Sequence, residues 1–282
     1  MTITAAMVKE LRDRTGVGMT KCKEALEASG GSVEEAISFL RKQGAASAVK
    51  KAGREAKEGK IAFAENGSTI AVVEVAAETD FVANNERFVE FLNDVVNEAA
   101  KSNPADLESF LAQKLSKDPS MTIEDYRTTI VQAIGENIQV KRVITFEKAP
   151  NKSFGVYSHL GGKIVTVVEI EGSDQAEQVA KDVAMHAAAT APEYLSPEKV
   201  PSEIVEREKD VARGQVEGKP ANIIDKIIEG KLRAFYDQIC LLNQKFIKDD
   251  SVTVAQFVEK NAKESGSPLK VVNFLRWNIG EG

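Results

Sequence analysis

The sequence predicts an α+β protein in which three short helices form an N-terminal bundle. A two-subdomain body follows, with antiparallel sheets and an inserted antiparallel pair of helices. Two observations predict this class: three helical patterns separated by glycines lie in residues 1–44, and the body contains a near-repeat of a strand, a turn and an apolar-periodic helix. We expect a helical domain at 1–44, a basic linker at 45–60, a first subdomain at 61–150, and a second at 151–282 that carries the helical pair at about 200–236.

The N-terminal bundle is predicted from helix caps and glycine stops. Thr4 can cap a first helix, and Gly30-Gly31 can end a second. A capping box, Ser32-x-x-Glu35, opens a third helix that we expect to end before Gly44. The short helices with small apolar faces resemble the ubiquitin-associated (UBA) type of bundle, which is a binding fold. The bundle is therefore interpreted as a docking module.

Residues 41–60 are basic and contain no aromatic side chain on which a base could stack. The segment contains seven basic and two acidic residues, a pattern typical of a solvated linker or helix face, and Ala45–Ala56 is compatible with a helix that connects to the body. The whole chain has a formal net charge of −6, which argues against a protein built to neutralise phosphates. Nucleic acid is therefore not an expected partner.

Strands are predicted in both halves of the body. Ile70–Val75 and Ile164–Ile170 are apolar runs, and hairpin turns at Glu65–Ser68 and His159–Gly162 precede them. Because hairpins join antiparallel strands, both sheets should be antiparallel. A further strand is expected over Val271–Ile279.

One more strand is expected from Ile138 to Phe146, where Ile138, Val140, Ile144 and Phe146 should share one face. Residues 103–120 are polar and are interpreted as a peripheral helix and loop.

The helical pair is predicted over Pro201–Phe235, where two amphipathic runs flank Gly218-Lys219-Pro220. The pair could protrude and contact a partner, or it could pack back on its own core. The pattern alone does not decide between these alternatives.

Composition indicates where the protein acts. The first residues form no basic, apolar leader, and no run approaches the roughly 18 apolar residues of a membrane helix, so we expect a cytoplasmic protein without membrane contact. Cys22 and Cys240 are expected to be buried free thiols, because two distant cysteines match no metal-ligand spacing. We expect no metal and no cofactor.

Catalytic chemistry is poorly supported. The chain contains neither a Walker-type phosphate loop nor a Rossmann glycine pattern. An enzyme would have to assemble Glu78, Asp80 and His159 as an acid–base group. His186 lies within an apolar helical run and is interpreted as a core histidine. We therefore expect a protein that is not an enzyme.

The most informative stretch is Glu78–Asn85, where a strand passes into a helix. Thr79 or Asp80 can accept hydrogen bonds from the free N–H groups of the first helical turn. Phe81 would then lie at the outer corner of this turn. It is either a core residue or an anchor for a partner.

Four motifs occur in order along the chain: VKELRDRTGVGM at 8–19, TDFVANN at 79–85, AIGENIQVKRV at 133–143 and FLRWNIGEG at 274–282. This set resembles the elongation factor Ts family, the guanine nucleotide exchange factors of the translational GTPase elongation factor Tu. The resemblance covers nearly the whole chain. It also implies that the helical pair is the protruding coiled coil of that family.

The resemblance implies roles for individual residues. Phe81, together with Asp80, would wedge among helices of the GTPase and disturb its magnesium site, and Thr79 and Val82 belong to the same contact. The implied contacts elsewhere are Ile134 and Gly135 near the phosphate-binding loop, Arg12 and Met19 in the bundle, and His159 in the second half. The partner would be elongation factor Tu in its GDP-bound and nucleotide-free forms. The alternative is an adaptor whose bundle binds a peptide or ubiquitin-like surface and whose body is only a scaffold.

Overall fold

A computed structural model describes residues 2–215 and 221–281, which divide into two compact units. Unit 1 contains Met1–Glu147, Leu160–Lys163 and Asn278–Gly282, and unit 2 contains Lys148–His159 and Ile164–Trp277. The predicted α+β class with antiparallel sheets is confirmed. Within the described residues, no helix combines the length and the apolar character needed to cross a membrane.

The elements of unit 1 are, in order, α1 (Ala5–Thr15), α2 (Met19–Ala28), α3 (Val33–Lys51), β1 (Glu58–Asn66), β2 (Thr69–Ala77), α4 (Asp80–Ala83), α5 (Glu86–Ser102), α6 (Leu107–Ala112), β3 (Lys114–Leu115), β4 (Asp118–Thr122), α7 (Ile123–Ile134) and β5 (Gln139–Glu147). Those that follow are β6 (Lys152–His159), β7 (Ile164–Glu171), α8 (Glu177–Thr190), α9 (Ser202–Gly214), α10 (Ala221–Ile239), β8 (Lys245–Phe246), β9 (Asp249–Thr253), α11 (Val254–Ser265) and β10 (Lys270–Asn278).

The first and third N-terminal helices begin where their caps predict. The Thr4 hydroxyl accepts a hydrogen bond from Met7 N–H at 3.3 Å, and the Ser32 hydroxyl accepts one from Glu35 N–H at 3.3 Å. The expected end of the third helix before Gly44 is wrong, because α3 continues to Lys51. A Cβ on Gly44 would lie 3.2 Å from the Thr128 carbonyl oxygen, so this glycine permits α3 to approach α7 closely.

The segment 45–60, expected as a basic linker, thus contains the last turns of α3 and the beginning of β1.

Unit 1 contains a three-stranded sheet with the order β1-β2-β5. Its central strand β2 is buried, and the face that carries Val73 and Val75 packs on α5. The prediction that four apolar residues of β5 share one face is wrong. A β-bulge leaves Lys141 without a partner in β2 and shifts the register, so Val140 and Val143, rather than Val140 and Ile144, contact the core beneath α5.

The interpretation of residues 103–120 as peripheral is also wrong. The segment contains α6 and most of a two-stranded ribbon, β3-β4, and it contributes Phe110 and Leu115 to the core of unit 1. Both side chains are fully or almost fully buried. The polar residues between them concealed these two core positions in the sequence pattern.

Unit 2 repeats the arrangement of unit 1, with a three-stranded sheet of order β10-β7-β6, a long helix α8, a ribbon β8-β9 and a helix α11. The near-repeat extends beyond the strand, turn and helix predicted from the sequence. Each ribbon leads into a helix with a reciprocal capping box, formed by Thr122 and Asp125 in unit 1 and by Thr253 and Gln256 in unit 2. The two halves of the body therefore share one architecture.

Helices α9 and α10 contact each other. The start of α9, at Ile204 and Val205, lies in the same apolar cluster as Phe235 and Tyr236 near the end of α10. The predicted turn Gly218-Lys219-Pro220 lies outside the described residues.

Candidate functional site

The central feature of the site is the single-turn helix α4, which forms the corner between β2 and α5. Thr79 is its N-cap, with an extended backbone, and its hydroxyl accepts a hydrogen bond from Val82 N–H at 3.3 Å. Asp80 and Phe81 occupy the first two helical positions. The Phe81 side chain is 86% exposed, which excludes the interpretation of Phe81 as a core residue. Phe81 is therefore a large aromatic side chain held out on a capped turn.

Several contacts fix the backbone of this corner. Ala83, directly after Val82, is buried in the core of unit 1. Asn84 donates from its backbone N–H and its side-chain amide to the Asp80 carbonyl, at 3.2 Å and 2.9 Å. On the other side, the Glu136 carboxylate accepts hydrogen bonds from Thr79. The corner is held from both ends, while its outward side chains remain exposed.

The end of α7 supplies the second part of the site. Gly135 is the C-cap with φ 96°, a left-handed conformation that favours glycine, and its N–H donates to the Val131 carbonyl at 2.9 Å. Ile134 is the last helical residue and is partly exposed, and Gly135 is exposed. Within unit 1, this helix end lies beside the corner.

The corner, the end of α7 and the N-terminal bundle enclose one shallow groove of about 570 Å³. Its walls include Arg12, Met19, Phe81, Val82 and Ile134. Five of the residues assigned to partner contact from the sequence are thus brought together, although the chain separates them by more than one hundred positions. Met19 is 45% exposed, so the groove has two accessible apolar side chains, one from the bundle and one from the corner.

Arg87, in the first turn of α5, links the bundle to the body of unit 1. Its guanidinium donates to the carbonyl of Gly16, which is the left-handed C-cap of α1. A Cβ at position 16 would collide with this guanidinium. The contact therefore fixes the loop between α1 and α2, which ends at Met19.

His159 belongs to unit 2, where it is the last residue of β6. Its side chain is exposed, its Nδ1 lies 3.2 Å from the Tyr157 hydroxyl, and the two rings stack with their centroids 6.0 Å apart. This contact orients the imidazole on the surface of unit 2.

Glu78, which was considered for an acid–base group, and His186, which was interpreted as a core histidine, both have structural partners. Glu78 accepts a hydrogen bond from Asn137 N–H at 2.6 Å, and His186 is fully buried with its Nε2 3.0 Å from the Gln244 side-chain oxygen. His186 is thus a core histidine, as predicted. Among the described residues, no group of three or more His, Cys, Asp or Glu side chains is arranged to hold a metal.

Both cysteines are buried free thiols, as predicted. Burial raises the pKa of the Cys22 thiol, and burial together with nearby carboxylates raises the pKa of Cys240 to about 11. Both side chains therefore stay protonated and unreactive near neutral pH.

Two residues that organise the site, Glu136 and Arg87, were not predicted from the sequence. Glu136 lies next to the predicted contact Gly135, and Arg87 lies two residues after the motif that contains Phe81. Both act on residues more than 50 positions away, at Thr79 and Gly16. No periodicity or local spacing in the sequence indicates such contacts.

Comparison with known proteins identifies a family. The family model described as "Elongation factor TS" matches residues 78–281. The chain is 62% identical to elongation factor Ts of Protochlamydia amoebophila over 99% of both chains. It is 46% and 45% identical to the proteins of the same name from Chlamydia muridarum and Chlamydia trachomatis, over 97% of each chain. From the family model and these relatives, which match along almost their full length, we conclude that the chain belongs to the elongation factor Ts family.

Proposed function

We propose that this protein is a guanine nucleotide exchange factor that binds elongation factor Tu·GDP and promotes GDP release by protein contact. The observation that carries the proposal is Phe81, a large aromatic side chain that is 86% exposed on a corner with a fixed backbone. Aromatic residues of this kind are the usual anchors of protein interfaces. Because the corner is already ordered, binding requires little additional ordering of this segment.

In this proposal, Phe81 enters between helices of the GTPase, with Asp80 beside it, and disturbs the magnesium site. Thr79 and Val82 support the same contact. Ile134 and Gly135, at the exposed end of α7, approach the phosphate-binding loop. The magnesium and phosphate contacts of GDP would thus be weakened together.

Arg12 and Met19 extend the interface across the groove to the bundle. The bundle then acts as a UBA-like docking module, and His159 supplies a contact from unit 2. Helices α9 and α10 form an antiparallel arm that provides additional hold on the partner. The apolar cluster shared by the start of α9 and the end of α10 supports this antiparallel arrangement.

The mechanism requires no chemical bond to be made or broken. A factor that binds the nucleotide-free GTPase more tightly than the GDP form lowers the affinity for GDP by the same ratio. GTP can then replace GDP. The protein is accordingly not an enzyme in this proposal, needs no cofactor, and acts in the cytoplasm.

The adaptor alternative treats the α+β body as a scaffold for the bundle. That alternative gives no role to an exposed phenylalanine on the body, nor to a groove formed jointly by the body and the bundle. We therefore favour exchange.

The direct test is release of fluorescently labelled GDP from elongation factor Tu, measured with excess unlabelled GDP by stopped-flow fluorescence. Substoichiometric amounts of this chain should accelerate release, because each molecule acts repeatedly. Titration calorimetry supplies a second test: the complex should weaken as GDP·Mg²⁺ is raised, since nucleotide and factor bind in competition. A chain that binds with unchanged affinity at saturating GDP·Mg²⁺, or that leaves release unaccelerated, would rule out the proposal.

A further inference from the structure

Two loops of unit 1 hold each other through a reciprocal pair of carboxylates. The first loop joins β2 to α4 and contains Glu78 and Thr79, and the second joins α7 to β5 and contains Glu136 and Asn137. Glu136 accepts from Thr79 N–H at 3.1 Å with one oxygen and from the Thr79 hydroxyl at 2.8 Å with the other. In the opposite direction, Glu78 accepts from Asn137 N–H at 2.6 Å.

Further hydrogen bonds from Asn137 and Arg54 support this pair of contacts. The Asn137 residue is only 1% exposed, and its side-chain amide donates to the Arg54 carbonyl at 2.8 Å. The Arg54 guanidinium in turn donates to the Glu78 carboxylate at 3.3 Å. Hydrogen bonds accepted by a carboxylate are stronger than those between neutral groups, and a carboxylate engaged by both of its oxygens also fixes orientation.

The Glu136 contact replaces a local helix cap. In a capping box, the third helical residue reaches back to the N–H of the N-cap, and α7 and α11 are capped in this way. In α4 that third residue is Val82, which has no polar side chain and lines the groove. Glu136, 57 positions farther along the chain, supplies the missing acceptor.

The equivalent loops of unit 2 are joined by a different contact. In unit 2 the corresponding helix α11 also ends at a left-handed glycine, Gly266, but the next residue is Ser267. The loops there approach backbone to backbone, since a Cβ on Gly172 would lie 2.2 Å from the Pro268 carbonyl oxygen. The carboxylate pair is thus a property of the unit that carries the exposed Phe81.

We propose that Glu136 is a positioning residue for exchange, and that it couples the Phe81 corner to the Ile134–Gly135 contact. Thr79 immediately precedes Asp80 and Phe81, and Glu136 immediately follows Gly135. The hydrogen bonds of Glu136 and Glu78 therefore connect the two contact segments directly beside their contact residues. Glu136 touches the partner through neither oxygen; it holds Phe81 in the orientation that enters the GTPase. This inference rests on the proposed exchange function and adds to it a specific source of rigidity.

The experiment is a double-mutant cycle on labelled GDP release, with the wild-type chain, Phe81→Ala, Glu136→Ala and the double variant. We expect Glu136→Ala to slow factor-dependent release about tenfold. Because Glu136 acts through Phe81, the double variant should be slower than Phe81→Ala by less than about twofold. Glu264→Ala, which removes one exposed carboxylate from the last turn of α11, is the matched control and should match the wild type.

A measurement on the free protein separates positioning from a general loss of structure. Hydrogen exchange of the Thr79 and Val82 amides should accelerate in Glu136→Ala, while the core amides of β2 and the melting temperature should stay close to those of the control. Glu136→Gln keeps one acceptor oxygen and should recover part of the release rate. It also carries the test if the alanine variant does not fold.

The outcomes distinguish this inference from the proposed function. If the wild-type chain accelerates release and Glu136→Ala does so equally well, the positioning role is wrong and exchange stands. Fully multiplicative effects in the cycle would equally overturn the coupling. If the wild-type chain fails to accelerate release while Thr79 exchange responds to Glu136→Ala, the proposed function fails and only the structural tie remains.

Discussion

Glu98 and His186 make the same contact in the two units. Glu98 on α5 accepts a hydrogen bond from the backbone N–H of Ser116, at the turn of the first ribbon, at 3.3 Å. His186 on α8 accepts one through Nδ1 from Ile247 N–H, at the turn of the second ribbon, at 3.1 Å. Both side chains are buried. The repeated architecture therefore ties each ribbon to its long helix, with a carboxylate in unit 1 and an imidazole in unit 2.

Because unit 2 has a histidine at this position, we predict that mildly acidic pH lowers its stability. Because Nδ1 accepts a hydrogen bond, the proton of the neutral ring lies on Nε2, which donates to Gln244. Burial lowers the pKa of His186 below its ordinary value of 6.5. The unfolded chain therefore binds the proton more readily than the folded chain. The contribution of neutral His186 to stability is fully present above pH 6.5 and is lost as the pH falls through the lower pKa of the folded state.

We expect the free energy of unfolding to decrease below pH 6.5 by at most about 1.4 kcal/mol per pH unit from this group. Urea unfolding between pH 7.5 and 5 measures it. His186→Gln should remove this contribution, whereas His159→Gln, which changes an exposed histidine, should keep it. An equal pH dependence in both variants would show that His186 is not the responsible group.

The next prediction concerns Phe81. Phe81→Ala should leave the melting temperature unchanged, because an 86% exposed side chain contributes little to the core. Factor-dependent GDP release should slow at least tenfold, about 1.4 kcal/mol, through loss of the anchor. Val49→Ala is the control, since it removes a 77% exposed apolar side chain from α3. A Phe81→Ala protein that unfolds, or that matches this control in release, would contradict the assignment.

Local signals in the sequence located much of the corner. The local pattern left open whether Phe81 lies in the core or on the surface, whereas the strand before the corner and the cap at Thr79 follow from residues within a few positions. These features were predictable because capping and strand periodicity are short-range interactions.

The errors arose where distant contacts override local signals. Gly44 is ordinarily a helix stop, but here its missing side chain lets α3 approach α7. The bulge at Lys141 places the later side chains of β5 on the face opposite to the expected one, and no glycine in the sequence indicates the bulge. Glu136 was overlooked because a carboxylate after a helix has no distinctive pattern, and its partner Thr79 is 57 positions away. Such features depend on the packing of elements that the sequence predicts only one at a time.

Close packing in unit 2 makes Gly155 another test of the fold. A Cβ at this position in β6 would lie 2.1 Å from the backbone of α8 at Ala180. Gly155→Ala must therefore push the helix from the sheet, and we expect a loss of about 1–3 kcal/mol in unfolding free energy. Gly230→Ala on α10, where a Cβ meets nothing within 4 Å, is the control and should stabilise its helix by up to about 1 kcal/mol. Urea denaturation of both variants compares them, and equal stabilities would contradict the close approach.

The last prediction concerns the proposed arm formed by α9 and α10. Its base, at Ile204, Val205, Phe235 and Tyr236, shares an apolar cluster with Val200, Ile239 and Cys240. Farther along, Ala212 on α9 and Ile228 on α10 are also buried. Replacing residues 207–233 by a short Gly/Ser linker keeps the base and removes the rest, so we expect cooperative thermal unfolding to persist.

Binding of this shortened chain to elongation factor Tu should weaken, because the arm is proposed to contact the partner. The rate of GDP release at saturating factor should change less, because Phe81 is retained. Titration calorimetry and stopped-flow release measure the two effects separately. Val211→Ser, which changes one exposed side chain on α9, is the control that keeps the arm. Loss of cooperative unfolding in the shortened chain would show that the arm packs on the body, and unchanged binding would show that it does not hold the partner.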